Sequence, residues 1–157
     1  MNYIGLISDT HDHLERVRAV VAVLNQFNLK RVIHCGDIVA SFVLSELRHL
    51  DAPLSIVFGN CDGDRDTLRE FAHQYSFDIK ESLGEMEIEG KRIVVTHKPV
   101  LPYPSCDFYI HGHTHKIRYE YGNPVIINPG EVCGWLTGKS SIAVLNIDIG
   151  DVEFITL

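Results

Sequence analysis

The first half of the chain alternates between short apolar runs and segments with hydrophobic residues at helical spacing. The apolar runs, which have the length and continuity of buried parallel strands, cover residues 3–8, 31–34 and 53–58. Each run is followed by an amphipathic segment, and these segments cover residues 12–24, 40–49 and 66–74. The pattern predicts three strand–loop–helix units in which every strand ends in a polar loop.

The predicted helices carry specific expectations for their ends and faces. Asp12 and Glu15 have the spacing of a capping box at the start of the first helix. In the second helix, Phe42, Leu44 and Leu47 are predicted to form the apolar face. Helices of this kind bury their apolar side against a sheet.

The second half of the chain changes to short runs joined by turn residues, which is typical of antiparallel strands. Hairpins are predicted at residues 85–89 with 92–96, 117–121 with 125–127, and 141–149 with 152–157. A further strand at 107–110 leads into a histidine-rich loop. The two halves predict a single domain, residues 1–157, of the α/β (α+β) class, with two mixed sheets packed face to face and helices outside.

Composition and charge narrow the classes of function. The chain has 157 residues, 45% of them hydrophobic and 22% charged, as in ordinary globular proteins. No apolar run has the roughly 20 residues of a membrane span, so no membrane association is expected. The formal net charge of −7, with acidic and basic residues mixed along the chain, disfavours stable nucleic-acid binding.

The four cysteines, Cys35, Cys61, Cys106 and Cys133, are scattered and form no C-x-x-C pair. A zinc ribbon or a thioredoxin-like motif is therefore not expected. The first segment also lacks the basic start and the cleavage site of a signal peptide. These features predict a cytoplasmic protein with reduced thiols, and they leave self-association into a homo-oligomer open.

The densest candidate chemistry lies in residues 111–115, where three histidines fall within five positions. His113 and His115 are two residues apart, so their side chains point the same way in an extended segment. Gly112 lets the backbone behind them bend sharply or approach another group closely. Taken alone, the pair fits either a metal site or two surface histidines on a loop. The choice depends on whether other loops supply matching ligands.

Other polar residues follow the predicted strands, where they would meet at one edge of the sheets. With the histidine pair they form a set of seven: Asp9, His11, Asp37, Asn60, His97, His113 and His115. Each one alone is explained as a helix cap, a turn residue or a hydrogen-bonded histidine. Together they match two divalent cations with about three ligands each and a carboxylate that bridges them. Mixed nitrogen and oxygen ligands suit Mn, Fe, Zn, Co or Ni better than Ca.

These residues resemble the five signature blocks of the calcineurin-like metallophosphoesterases, particularly their small single-domain phosphodiesterase branch. The blocks are matched in order by Asp9-Thr10-His11, Gly36-Asp37, Gly59-Asn60-Cys61-Asp62, Thr96-His97 and Gly112-His113-Thr114-His115. The turn Asn128-Pro129-Gly130 also resembles that branch. The resemblance covers residues 3–130 and implies the family's four-layer fold, in which two mixed sheets are sandwiched between helices.

The resemblance also implies a role for each ligand and a reaction. Asp9, His11 and His115 would hold one divalent ion, Asn60, His97 and His113 would hold a second, and Asp37 would bridge them. The implied activity is hydrolysis of a small phosphate ester, foremost a diester, by in-line attack of a hydroxide that bridges the ions. Asp37, Asn60 and His97 would be the catalytic residues. The expected cofactors are two Mn²⁺ ions, with Ni, Co, Fe or Zn as alternatives.

Two positions depart from the wider family. Many members have a histidine that assists the leaving group where this chain, like the small branch, has Cys61. A thiol beside cations is a poor proton donor, although Cys61 is equally explained as a small buried residue. Lys98 and Pro99 stand where the branch commonly has glycine and another histidine, and Lys98 either contacts a substrate phosphate or is a solvated surface residue. Elsewhere, Trp135 is expected to be a half-buried core aromatic.

Three alternatives use the same features. A phosphomonoesterase or nucleotidase would use the same ligands. A catalytically silent scaffold of the same fold, like the retromer subunit that resembles this family, would have lost ligands, whereas all seven positions are filled here. A metallo-β-lactamase-like hydrolase would need an H-x-H-x-D-H run, and the H-x-H motifs at His11 and His113 lack that continuation.

Overall fold

The computed structural model of the protein describes residues 1–157, with three helices and eleven strands. The helices are α1 (Leu14–Leu24), α2 (Ser41–Leu47) and α3 (Arg65–Gln74). The strands are β1 (Tyr3–Ile7), β2 (Leu29–His34), β3 (Leu54–Val57), β4 (Asp78–Lys80), β5 (Leu83–Ile88), β6 (Lys91–Thr96), β7 (Phe108–His111), β8 (Ile117–Glu120), β9 (Val125–Pro129), β10 (Ser141–Asn146) and β11 (Asp151–Thr156). The predicted strand–loop–helix units and the three hairpins are confirmed.

The strands form two mixed sheets, as predicted. The six-stranded sheet has the order β11-β10-β1-β2-β3-β4, and the five-stranded sheet has the order β5-β6-β7-β9-β8. In the first, β1 to β4 run parallel and β10 pairs antiparallel with β1. In the second, β6, β7 and β9 run parallel, and β5 and β8 form antiparallel edges.

Two apolar layers hold the sheets and the helices together. Between the sheets, Ile4 and Leu6 of β1 meet Val95 and Ile110 of the five-stranded sheet. Ile7 of the same strand faces the helices instead. This division follows from the pleat, because successive side chains of a strand point to opposite faces. Burying each such aliphatic side chain contributes about 1.5–3 kcal/mol.

The placement of the helices differs in one detail from the four-layer architecture that the resemblance implied. All three helices pack on the six-stranded sheet. The outer face of the five-stranded sheet, which carries Val94, Tyr109 and Ile126, is covered by Tyr103 and Cys106. These two residues belong to the irregular segment between β6 and β7. No helical fourth layer forms, because the second half of the chain has no segment with helical periodicity.

Two local predictions are wrong, and one strand was missed. Asp12 does not cap α1, and its Oδ1 instead accepts a hydrogen bond from the Ala40 N–H at 2.9 Å, just before α2. Phe42 is 68% exposed, because α2 turns Val43 toward the core in its place. The edge strand β4 was not predicted, since Asp78–Lys80 is too short and too polar to show a periodic pattern.

Two expectations from composition, the absence of a membrane span and the presence of unpaired cysteines, can be compared with the structure. None of the three helices has the length and apolar character of a membrane span. All four cysteines are free, and three of them, Cys35, Cys106 and Cys133, are buried. Burial raises the pKa of Cys35, and it raises that of Cys133 to about 12. These two are therefore unreactive core thiols.

Candidate metal centre

The predicted site residues lie on loops at one edge of the two sheets. The six-stranded sheet contributes Asp9 and His11 after β1, Asp37 after β2 and Asn60 after β3. The five-stranded sheet contributes His97 after β6, and His113 and His115 after β7. Because β1, β2 and β3 run parallel, as do β6 and β7, their carboxyl ends deliver the loops to one place. The structure brings all seven residues together.

Asp9, His11 and His115 form the first cluster, with one potential ligand atom from each within 4.8 Å of the others. Asp9 Oδ1 lies 3.7 Å from His11 Nε2 and 3.3 Å from His115 Nε2. Asp9 Oδ2 accepts hydrogen bonds from the Ser8 hydroxyl at 2.5 Å and from the His113 N–H at 3.1 Å. These bonds fix the carboxylate so that Oδ1 faces the two imidazoles.

Asp37, His97 and His113 form the second cluster, again with potential ligand atoms within 4.8 Å of one another. Asp37 Oδ2 lies 3.2 Å from His97 Nε2, which lies 3.1 Å from Asn60 Oδ1. The same Oδ2 lies 3.5 Å from His11 Nε2 of the first cluster. Asp37 therefore reaches both clusters through a single oxygen.

Hydrogen bonds determine which ring nitrogen is free in two of the histidines. His97 Nδ1 donates to the Cys35 carbonyl at 2.8 Å, and His115 Nδ1 donates to the Glu131 carboxylate at 2.6 Å. Since both partners can only accept, the Nε2 atoms of the neutral imidazoles carry lone pairs. Those lone pairs face carboxylate or amide oxygens, which are also acceptors. Such a pairing is unfavourable unless a positive charge lies between the two acceptors.

Two buried atoms of the first cluster also lack a partner. Asp9 Oδ1 and His11 Nε2 are closed off from solvent and make no hydrogen bond. An unsatisfied buried polar atom destabilises a fold by about 1–3 kcal/mol, and native proteins keep few of them. A buried carboxylate oxygen and a buried imidazole nitrogen that both lack a partner fit a divalent cation with mixed nitrogen and oxygen ligands.

The surroundings keep Asp37 ionised. Burial would raise its pKa, but hydrogen bonds from His97 and from the Cys61 N–H outweigh burial and hold the pKa well below its usual range. Burial lowers the pKa of His97, whereas the Asp37 carboxylate outweighs burial and raises it. Burial, together with His97 and Lys98, lowers the pKa of His113 and favours the neutral imidazole that binds metals.

The backbone is strained where the candidate ligands lie. Five of them, Asp9, His11, Asp37, His113 and His115, have positive φ angles between +39° and +66°. This left-handed conformation costs about 1–2 kcal/mol for a residue with a Cβ atom. Such residues concentrate at functional sites, where the surrounding structure enforces them. The strain agrees with a functional role for these loops.

Asp62 ties two of the loops together and was not among the predicted site residues. Its buried carboxylate accepts hydrogen bonds from four backbone N–H groups, those of Asp37, Ile38, Val39 and Gly59, at 2.6–3.1 Å. The first three residues follow β2 and the last follows β3. Gly59 is required because a Cβ there would overlap the Asp37 carboxylate. In the sequence, Asp62 stands within the signature block Gly59-Asn60-Cys61-Asp62, but this position by itself did not indicate a role for it.

Glu131 is a second residue that the sequence did not single out. It is fully buried and accepts hydrogen bonds from His115 Nδ1, the Cys133 thiol, the Thr137 hydroxyl and the N–H groups of Leu136 and Thr137. Burial opposes its ionisation, yet the hydrogen bonds from His115 and Thr137 outweigh burial and lower its pKa to about 2. A carboxylate behind a ligand histidine fixes the ring and raises its basicity. Nothing local in the sequence marks this pairing.

The surroundings of three nearby residues bear on expectations that the sequence left open. Cys61 is exposed, so its interpretation as a small buried residue is wrong, and its N–H donates to Asp37 Oδ1 at 2.8 Å. Trp135 is 66% exposed and lies beside His13, with a centroid distance of 6.1 Å, so it is not a core aromatic. Lys98 is exposed beside the site and forms no ion pair.

Two mixed sheets that gather histidines and carboxylates at a shared edge are typical of a metal-dependent hydrolase. This chain belongs to the calcineurin-like phosphoesterase superfamily, whose domain model matches residues 1–150. The family is one of metal-dependent phosphoesterases, and the resemblance of the five sequence blocks is thereby confirmed at the level of the family.

Individual relatives agree with the family assignment. The chain is 35% identical to phosphodiesterase MJ0936 of Methanocaldococcus jannaschii over an alignment of 163 residues that covers 98% of each protein. A solved structure described as a novel archaeal phosphodiesterase superimposes with a TM-score of 0.88 at 33% identity, over 99% of both chains. YfcE, a phosphoesterase from E. coli, gives a TM-score of 0.75 at 20% identity over 98% of both chains, and this likeness concerns the fold alone.

Proposed function

We propose that this protein is a phosphodiesterase whose site holds two divalent metal ions, with Mn²⁺ as the expected ion. Asp9, His11 and His115 would bind one ion, Asn60, His97 and His113 the other, and Asp37 would bridge them. The observation that carries the proposal is the Oδ2 atom of Asp37, which lies 3.5 Å from the first cluster's His11 Nε2 and 3.2 Å from the second cluster's His97 Nε2. When bound, the ions would supply Lewis acidity toward the phosphate oxygens and toward the attacking water.

The residues of the chain supply orientation and charge. Asp62 and Glu131 hold the ligand loops in place, so a bound phosphate would meet the attacking water in a fixed, in-line geometry. The ionised Asp37 supplies the negative charge that two adjacent cations require. The relative named a phosphodiesterase supports a diester as the substrate. A cytoplasmic location, expected from the unpaired cysteines, belongs to the same proposal.

The direct test is hydrolysis of bis-p-nitrophenyl phosphate by protein stripped of metal, with Mn, Ni, Co, Zn or Mg added back one at a time. We expect Mn²⁺ to restore activity, and we expect the monoester p-nitrophenyl phosphate to be cleaved more slowly. A folded protein that binds metal but cleaves neither ester with any ion would contradict the proposal and favour a silent scaffold. Faster cleavage of the monoester would favour a phosphomonoesterase.

Replacing Cys61 by His is expected to weaken the dependence of the rate on the pKa of the leaving group. Cys61 is exposed overall, but the part of its side chain that is buried and the nearby Asp37 carboxylate both raise the pKa of its thiol. The thiol is therefore a poor general acid. A histidine would protonate an alkoxide, and diesters with alkyl leaving groups should gain about 100-fold in rate. The rates for a series of diesters with graded leaving groups provide the measurement. The control Cys61→Ser should keep the steep dependence, and equal slopes in all three proteins would contradict this role.

Replacing Glu131 by Gln is expected to weaken one of two Mn²⁺ sites. The amide keeps the size of the side chain but loses the charge that orients His115, and such changes weaken metal affinity by about 10- to 100-fold. Calorimetric titration of the metal-free protein with Mn²⁺ would show a loss confined to one binding step. The control Glu153→Gln, in the exposed part of β11, should bind like the unaltered protein. An equal loss at both steps would show that Glu131 does not act through His115 alone.

A further inference from the structure

A groove opens directly from the second cluster. Its volume is about 300 Å³, and it is lined by Asn60 and His97 of the candidate metal centre on one side. Leu83 and Val100 form part of its walls, and these apolar side chains are 44% and 42% exposed. A groove with apolar walls beside the reacting centre is suited to the organic part of a substrate.

The charged residues of the groove leave one free cation. Arg65 is engaged, because it donates to the Asp62 and Gly59 carbonyls and pairs with Glu81 at 3.2 Å. Glu81 also pairs with Arg69, so its charge is balanced. Lys98 lines the same groove without an acidic partner. The charged side chains that line the groove, Arg65, Lys98 and Glu81, therefore sum to one positive charge.

The backbone that carries Lys98 is anchored. The Thr96 hydroxyl donates to the Lys98 carbonyl at 2.8 Å and lies 2.5 Å from the Tyr109 hydroxyl. Tyr109 in turn accepts a hydrogen bond from the Val100 N–H at 3.0 Å, and its ring is fully buried. Thr96 and Tyr109 thus fix the backbone at Lys98 and at Val100. The side chain of Lys98 therefore extends from a fixed position beside the second cluster.

We propose that this groove binds one ester arm of the substrate and that Lys98 binds a second phosphate group carried on that arm. The substrate class is then a phosphodiester with an organic arm that bears a further phosphate, as in a nucleotide bisphosphate unit. This inference rests on the proposed phosphodiesterase function. The apolar walls contact the body of the arm, the candidate metal centre holds the reacting phosphate, and Lys98 selects the distal charge.

The test compares two ligands that differ by one phosphate. Adenosine 5′-monophosphate and adenosine 3′,5′-bisphosphate are titrated into the Mn²⁺-loaded protein by calorimetry, and both are measured as inhibitors of bis-p-nitrophenyl phosphate hydrolysis. Because Lys98 is exposed, we expect the bisphosphate to bind about fivefold more tightly. The preference should shrink as salt screens the charges. Lys98→Met should remove most of the preference, whereas Lys30→Met, with the same change of charge at the start of β2, should keep it.

The outcomes separate this inference from the function on which it rests. Equal affinities for the two nucleotides in the unaltered protein, with diester hydrolysis intact, would overturn the role of Lys98 alone. A preference that survives Lys98→Met, or that Lys30→Met removes equally, would also overturn it. Absence of hydrolysis with every metal would contradict the phosphodiesterase proposal, and the calorimetric comparison would still decide whether Lys98 recognises a second phosphate.

Discussion

Replacing Asp37 by Asn is expected to reduce metal-dependent diester hydrolysis by about 100- to 1,000-fold, the range found when one preorganised electrostatic contact to a transition state is removed. Asn keeps the shape of Asp, and its Oδ1 can still accept the hydrogen bond from the Cys61 N–H at 2.8 Å. Its amide nitrogen would face His11 and His97 in place of the oxygen that both approach. The variant should fold, but it should bind fewer than two ions.

Activity and metal stoichiometry should be measured on the same preparation. Asp66→Asn is the matched control, because the Asp66 side chain is 99% exposed on α3 and the chemical change is identical. We expect this control to retain full activity. Residual activity of Asp37→Asn above about a tenth of the unaltered rate would mean that Asp37 does not bridge two ions, since a bridging charge contributes far more than that.

Replacing Asp62 by Asn is expected to lower the free energy of unfolding by about 3 kcal/mol or more, because two buried N–H groups would lose their acceptor. Each carboxylate oxygen of Asp62 now accepts from two backbone N–H groups. An amide has only one oxygen, so its NH₂ group would face a pair of donors. The same change should disturb the Asp37 and Gly59 loops and therefore lower activity as well.

Urea unfolding in the presence of a chelator would measure this effect without a contribution from bound metal. Asp64→Asn is the control. Asp64 caps α3 by accepting a hydrogen bond from the Thr67 N–H at 3.2 Å, and Asn caps helices about as well as Asp. We expect a change within about 0.5 kcal/mol for this surface position. If Asp62→Asn were as mild as the control, the four hydrogen bonds would not hold the loops together.

Much of the fold follows from local patterns. The runs at β1, β2 and β3 and the helical spacing after each of them are visible in the sequence, because burial on one or both faces imposes a short-range period. The turns of the later hairpins are marked by glycine, asparagine and proline for the same local reason. Even so, the apolar pattern misplaced Phe42, since a helix turned by one residue buries Val43 instead.

The candidate site likewise has features that the sequence predicts and features that only the structure shows. The sequence by itself determined the family and seven candidate ligands, because each of those residues follows a strand within a recognisable block. Only the tertiary structure decided what lies opposite each side chain. It shows that Asp62 accepts hydrogen bonds from four backbone N–H groups and that Glu131 accepts one from His115. It also shows that Lys98 lines a groove without an acidic partner. Those relations join residues far apart in the chain, and no local pattern encodes them.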